Sequence, residues 1–197
     1  MASGQSGRLV RLLIAVSLVV AGLSVSSAAQ TEKPKAEQFS ATVYPQAGLF
    51  AGRTTDINIY VNGYTPDDEA TQLRELLRTK GSDAVLSAVE KMKEKGRVAV
   101  VGTTDWGIPV IRQHPTNDGG RRLVFFGNRP LSFFEVRNDT RSRDYAFGLM
   151  ILNVNGQGQG DGLLYPACKV RFNKQGELEV ENFGIAPAKV VNVRMAK

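Results

Sequence analysis

The run YAFGLMILNV, residues 145–154, has an apolar side chain at nearly every position, and it decides the fold class. Successive side chains of a β-strand point to opposite faces of a sheet, so this run places apolar side chains on both faces. One face would carry Tyr145, Phe147, Leu149 and Ile151, and the other Met150, Leu152 and Val154. A strand of this kind lies inside a sheet that is covered on both faces. We therefore expect a central strand here.

The next two apolar runs, 163–172 and 177–183, predict a β-hairpin whose register follows from the sequence. The loop Lys174-Gln175-Gly176 has glycine at its last position, where a three-residue hairpin loop adopts the left-handed conformation. Opposing residues must share a face, and this requirement selects the register. The expected cross-strand pairs are Phe172–Leu178, Arg171–Glu179, Val170–Val180 and Lys169–Glu181. Cys168 then lies on the apolar face, where we expect a small buried side chain.

Segments on either side of these elements also read as strands. Polar and apolar residues alternate at 39–43 and 57–61, as they do in half-buried strands. The other expected strands are 98–101, 108–113, 121–126, 131–136 and 189–195. Most of the chain is therefore expected to be strand and turn.

A single block between the second and third strands has the period of helices instead. Thr65 is suited to cap a first helix, with Pro66 at its first position. Gly81 fits the left-handed position after that helix. Ser82 can cap a second helix, which Gly96 would end. Two short helices joined in this way form an αα-hairpin.

Together these elements predict an α+β fold with a mainly antiparallel sheet of about eight to ten strands. The sheet is expected to curl into a partial barrel or a sandwich, with the αα-hairpin inserted near residues 65–96. Helices in one block, with strands before and after them, do not fit an alternating parallel fold.

The first 29 residues have the pattern of a cleavable secretory signal peptide. Arg8 and Arg11 give a positive segment before the apolar stretch at 12–23, and Ser27-Ala28-Ala29 supplies small side chains before a cleavage site. The apolar stretch is shorter than the roughly 20 residues of a transmembrane helix. We therefore expect export, to the periplasm or as a secreted protein, with an uncleaved N-terminal anchor as the alternative.

Cleavage after Ala29 would leave a polar, flexible spacer at 30–38 and one domain at 39–197. No second long apolar run follows, so we expect no transmembrane segment in the mature chain. Removal of Arg8 and Arg11 lowers the count of Lys and Arg from 25 to 23 against 19 Asp and Glu, which leaves a net charge of about +4.

Composition argues against several classes of site. The chain has one cysteine, Cys168, and one histidine, His114, so an internal disulfide is impossible and a metal site built from thiolates and imidazoles is not expected. No cofactor motif is recognised. Nucleic acid is a poor partner for an exported chain without the aromatic signature of RNA-binding sheets.

Six arginines form the candidate binding site. They occupy neighbouring expected loops, and if these loops meet at one end of the sheet, their guanidinium groups would bind a phosphate or a carboxylate. They are Arg121, Arg122, Arg129, Arg137, Arg141 and Arg143. The alternative is that Asp139 and Asp144 neutralise them.

Two further features are candidate sites. His114 is the only possible imidazole base, with Ser132 and Asp105 as conceivable partners, but a surface turn histidine is the favoured interpretation. The glycine-rich segment 155–162 lacks the spacing and the following helix of a dinucleotide-binding loop. We interpret it as a hairpin loop, with a loop at the mouth of a binding cavity as the alternative.

Three segments carry a resemblance. They are Tyr64-Thr65-Pro66-Asp67-Asp68, Arg143-Asp144-Tyr145 and Tyr165-Pro166-Ala167-Cys168-Lys169-Val170-Arg171-Phe172. Their order resembles a group of uncharacterised exported bacterial proteins over most of the mature chain. The resemblance implies a bacterial origin and one domain, and it implies no activity and no site residues.

The function expected from these features is that of an exported, non-catalytic envelope or periplasmic protein that acts as a binding or interaction module. Its partner would be an anionic envelope component or a small ligand. The alternative is a small-molecule or lipid carrier with a cavity in the sheet. A hydrolase that uses His114 is the least favoured class.

Overall fold

The computed structural model describes residues 36–46, 51–100, 105–130, 145–183 and 186–196. All of them belong to one compact unit, Glu32–Lys197. The first elements are β1 (Glu37–Tyr44), β2 (Thr55–Val61), α1 (Asp67–Lys80), α2 (Ser82–Val89), β3 (Gly96–Val100) and β4 (Trp106–Ile108). They are followed by β5 (Val110–Pro115), β6 (Arg121–Gly127), β7 (Phe147–Val154), β8 (Gln159–Phe172), β9 (Leu178–Asn182) and β10 (Ala188–Met195). The predicted strand at 131–136 lies outside the described residues.

The ten strands form one antiparallel sheet in the order β4-β3-β2-β1-β10-β8-β7-β6-β5, and β9 pairs with the second half of β8. The strands at the two ends of this order, β4 and β5, are separated in sequence only by Pro109. Since β4 pairs with β3 and β5 pairs with β6, this one stretch nearly closes the sheet into a barrel. The predicted α+β partial barrel with an αα-hairpin is confirmed.

Thr65 covers the open edge of β5 and does not cap α1. Its backbone nitrogen donates to the Ile111 carbonyl at 2.7 Å, and its hydroxyl accepts from the Ile111 nitrogen at 3.0 Å. Pro66 takes the N-cap position of α1, and no side chain caps the helix. The predicted Thr65 cap was therefore wrong, because the Thr65 hydroxyl instead accepts a hydrogen bond from Ile111 on the edge strand β5, 46 residues away.

The barrel interior is filled by side chains, as is usual in small barrels. Phe39, Ile59 and Phe125 are fully buried, and Trp106 is 1% exposed. The Trp106 ring lies against two glycines that face each other on β6 and β7, Gly127 and Gly148. This contact joins β4 to β6 and β7 across the junction of β4 and β5, which we call the barrel seam.

A second core lies between the helices and the outer face of the sheet. Val85 and Val89 of α2 contact Phe147, Leu149 and other apolar residues of the sheet. Opposite residues of β7, including Met150 and Leu152, belong to the interior core. The prediction that 145–154 contains a central strand covered on both faces is therefore confirmed.

The β8–β9 hairpin has the predicted register at all four expected pairs. Gly176 has a φ of +78°, as the loop type requires. Arg171 contacts Glu179 at 2.9 Å and also Glu181 at 3.6 Å, so one arginine holds both carboxylates. Cys168 is fully buried, as expected.

Several helices and strands begin or end at residues other than those predicted. Gly81, not Ser82, occupies the cap position before α2, and α2 ends at Val89. Gly96 begins β3, where a side chain would collide with the Tyr60 carbonyl oxygen, 2.2 Å from an ideal Cβ. β1 begins at Glu37, within the segment expected to be spacer.

The glycine-rich segment 155–162 is half turn and half strand, so its prediction as a loop is correct for only four of its eight residues. Only 155–158 form the turn, and Gln159 begins β8. Opposite it, β10 contains a bulge between Val190 and Val193, where Asn192 has a φ of +56°. A bulge bends a strand and increases its local twist, so β10 is expected to bend at this point.

The buried thiol predicts how the stability of the protein depends on alkaline pH. Burial raises the pKa of Cys168 to about 12. Above the ordinary thiol pKa, about 8.5, the unfolded chain releases a proton that the folded chain retains, so stability falls by up to about 1.4 kcal/mol per pH unit. Urea unfolding between about pH 7 and about pH 10.5 should show a shallower decline for Cys168→Ala than for the unmodified chain. An unchanged decline would contradict this assignment.

Candidate functional site

One end of the barrel carries two consecutive arginines that point in opposite directions. Arg121 and Arg122 begin β6, and alternation places the first with the interior residues Leu123 and Phe125 and the second on the outer face. The two side chains therefore belong to separate clusters, although the sequence places them side by side.

Arg121 lies across the end of the barrel and is neutralised there. Its guanidinium forms an ion pair with Glu37 of β1, and side-chain exposure is 27% for Arg121 and 18% for Glu37. The same guanidinium donates to the Tyr64 hydroxyl and to the Gln113 side-chain oxygen, each at 3.2 Å. The Tyr64 hydroxyl donates to Glu37 at 2.9 Å. The ion pair links β1 to β6, which are not neighbours in the sheet. We call these four side chains the barrel-end cluster.

The barrel-end cluster raises the pKa of Tyr64 far above its ordinary value. Burial is the largest cause, and the hydrogen bond to Glu37 and the charge of Glu37 add to it. A tyrosinate beside Glu37 would be buried and repelled, so the folded state keeps the phenol protonated. Stability is therefore lost as pH rises above the ordinary tyrosine pKa of about 10, in the same direction as for Cys168.

Arg122 belongs to a row of four polar side chains that crosses the outer face of the sheet. His114, Arg122, Asn153 and Asp161 lie directly opposite one another on β5, β6, β7 and β8. The Arg122 Nε donates to the Asn153 side-chain oxygen at 3.0 Å. Within the described part of the chain, the two terminal nitrogens of this guanidinium have no hydrogen-bond partner, so they are available to a ligand.

An open groove of about 500 Å³ lies over the middle of this row. Its walls are the turn between β5 and β6 and the turn between β7 and β8. The lining residues are Thr116, Asn117, Asp118, Arg122, Asn153, Val154, Asn155, Gln159, Gly160 and Asp161. We call this the Arg122 groove. It places one guanidinium among amide and carboxylate groups.

Local hydrogen bonds fix one wall of the Arg122 groove. The Asp118 carboxylate accepts from the Thr116 hydroxyl at 2.5 Å and from the Gly120 nitrogen at 3.2 Å. These bonds, with that from Thr116 the larger, lower the pKa of Asp118 below its ordinary value. The carboxylate is therefore ionised at neutral pH and available as a hydrogen-bond acceptor.

The structure does not bring the described members of the arginine set together. Arg129 follows the far end of β6, and β6 spans about 20 Å between its ends. There its guanidinium donates to the Asp105 carbonyl at 3.0 Å. Of the three described candidates, Arg121, Arg122 and Arg129, only Arg122 lines the groove. Arg137, Arg141 and Arg143 lie outside the described residues.

His114 lies at the end of β5 on the exposed face, next to Arg122 in the cross-strand pairing. Asp105, one of its conceivable partners, forms an ion pair with Arg97 at 2.6 Å. Ser132 lies outside the described residues. Within the described residues, no side-chain hydrogen bond joins His114 to a nucleophile or to an orienting carboxylate.

No protein-family model, curated protein or solved structure matches the chain. Among the described residues, no three acidic, histidine or cysteine side chains are grouped so as to hold a metal ion. The described helices are too short or too polar to cross a membrane. The case for function therefore rests on the geometry of the site.

Sequence reasoning missed Glu37, Tyr64 and Asn153. Glu37 was assigned to the spacer because no alternation precedes Phe39. Its partner Arg121 is 84 residues away, so no local pattern marks the pair. Asn153 offered a weak signal, as the one amide in an otherwise apolar strand.

Proposed function

We propose that this chain is an exported, non-catalytic binding module that takes a polar anion in the Arg122 groove. The observation that carries the proposal is the unpaired end of the Arg122 guanidinium inside a groove of about 500 Å³. Grooves of this size accommodate small ligands, and a guanidinium binds carboxylate or phosphate groups through paired hydrogen bonds. Export rests on the pattern of the first 29 residues.

The rest of the groove supports a ligand with hydroxyl groups beside its anionic group. Asp118 and Asp161 are hydrogen-bond acceptors, and the amides of Asn117 and Gln159 both donate and accept. A small sugar acid or the end of an anionic envelope polymer has this chemistry. With one cation and two carboxylates, the groove favours a ligand of low charge over a strongly anionic polymer.

The other two classes have less support. A lipid carrier needs an apolar cavity, whereas bulky side chains such as Phe39, Trp106 and Phe125 fill the barrel interior. A hydrolase that uses His114 needs a nucleophile or a second catalytic group held against the imidazole, and no described side chain is hydrogen-bonded to it.

Substitution of Arg122 by glutamine should weaken binding of a sugar acid about tenfold or more, because charge-assisted hydrogen bonds contribute about 1.5–3 kcal/mol. NMR titration with glucuronate should shift amide signals at 116–118 and 153–161, and uncharged glucose should shift them less. Arg74→Gln on α1 removes the same charge from an exposed site outside the groove and should bind normally. Equal weakening by both variants, or no shifts with glucuronate, would refute the proposal.

A further inference from the structure

The chain contains two Asn-Gly sequences, Asn62-Gly63 and Asn155-Gly156, and the two differ in hydrogen bonding and exposure. Asn-Gly sequences deamidate spontaneously when the glycine nitrogen reaches the asparagine side-chain carbonyl. The reaction needs a free nitrogen, a mobile backbone and little steric hindrance. The hydrogen bonding of the glycine nitrogen and the exposure of the glycine can be compared at the two sites.

Asn62-Gly63 is held in the fold by its own backbone. The nitrogens of Asn62 and Gly63 both donate to the Lys95 carbonyl, at 2.7 and 3.1 Å. The pair directly follows β2, and Gly63 is half-buried. The Gly63 nitrogen can attack only after this contact opens, which protects the site.

Asn155-Gly156 forms the exposed tip of the turn between β7 and β8. Within the described residues the Gly156 nitrogen makes no hydrogen bond, and Gly156 is exposed. The Asn155 side-chain oxygen accepts from the nitrogens of Gln157 and Gln159, each at 3.0 Å. These two donors draw electron density from the side-chain carbonyl, so they make its carbon a better electrophile.

We propose that Asn155 is a site of spontaneous deamidation in the folded protein and that Asn62 is not. The Gly156 nitrogen attacks Cγ of Asn155, a carbon–nitrogen bond forms, and the side-chain amide nitrogen leaves as ammonia. Water then opens the resulting succinimide to aspartate or isoaspartate, so the net change is the uptake of one water and the loss of one ammonia.

The modification changes the Arg122 groove, since Asn155 is one of its lining residues. Either product adds a carboxylate to a lining that already contains Asp118 and Asp161. Isoaspartate also lengthens the backbone and displaces the acceptor of two turn hydrogen bonds. The inference stands on the turn geometry and does not depend on the identity of the ligand.

Incubation of the folded protein at about pH 8, followed by peptide mapping with mass spectrometry that separates aspartate from isoaspartate, tests the proposal. We expect Asn155 to react about tenfold faster than Asn62 or more, since each 1.4 kcal/mol of opening free energy at Asn62 slows its reaction about tenfold. In the urea-unfolded chain the two rates should become similar. Equal rates in the folded chain, or an Asn155 that reacts only after unfolding, would overturn it.

Gly156→Ala supplies a matched control. An added Cβ would lie 3.7 Å from its nearest neighbour, the Gly119 carbonyl oxygen, so the variant should fold normally. The methyl group hinders attack by the backbone nitrogen, and modification at Asn155 should become much slower. An unchanged rate in this variant would also overturn the proposal.

Discussion

Arg121→Met is expected to lower the free energy of unfolding by about 3 kcal/mol, whereas Arg122→Met should change it by less than about 0.5 kcal/mol. The two positions are consecutive and carry the same residue, but only Arg121 is paired in the barrel-end cluster. Its loss leaves the mostly buried carboxylate of Glu37 without a cation and removes a hydrogen bond to the Tyr64 hydroxyl. Denaturant unfolding of the two variants at neutral pH measures the difference.

A second substitution separates the unpaired charge from lost packing. In the Arg121→Met background, Glu37→Gln removes the stranded carboxylate and should recover part of the lost stability. In the otherwise unmodified chain, Glu37→Gln should itself be destabilising. The interpretation fails if Arg121→Met and Arg122→Met are equally stable, or if Glu37→Gln destabilises both backgrounds by the same amount.

Gly148→Ala is expected to destabilise the protein by about 1–3 kcal/mol, because the new methyl group overpacks the core at the barrel seam. An ideal Cβ at this position lies 2.4 Å from Cζ2 of Trp106, whose ring is rigid and whose Nε1 donates to the Arg129 carbonyl at 3.2 Å. Trp106 is the only tryptophan of the chain, so its fluorescence reports directly on this contact. We expect a red-shifted emission in the folded variant.

The matched control is Gly156→Ala, which adds the same methyl group in an exposed turn with no close neighbour. It should leave both the free energy of unfolding and the tryptophan emission unchanged within error. Gly127→Ala faces the same ring from β6, at 2.6 Å, and should behave like Gly148→Ala. Unperturbed emission and stability in both interior variants would show that the seam does not depend on this contact.

Much of the fold could be predicted because it is encoded by local patterns. The apolar run 145–154 predicted a central strand, and the loop ending in Gly176 predicted the register of the β8–β9 hairpin. Both depend on residues that are close in sequence. Failures occurred where a distant group competed for the same residue, as when Ile111 took the hydroxyl of Thr65.

The candidate site was less predictable because it is made of long-range neighbours. The six-arginine hypothesis relied on loops meeting, whereas Arg121 and Arg129 lie at opposite ends of β6. The interpretation of 155–162 as a loop was correct only for its first four residues. The alternative interpretation, a loop at the mouth of a binding cavity, agrees better with the structure, since Asn155 lines the groove.

The strand pattern of 121–126 by itself requires Arg121 and Arg122 to face opposite sides, because side chains alternate along extended backbone, although the six-arginine hypothesis placed both in one site. Only the tertiary structure decided which of them is inside. Strand β6 is apolar on both faces beyond these residues, so its pattern does not distinguish an interior face from an outer one. Closure of the barrel at β4 and β5 makes that choice, and it places Arg121 against Glu37 and leaves Arg122 at the groove.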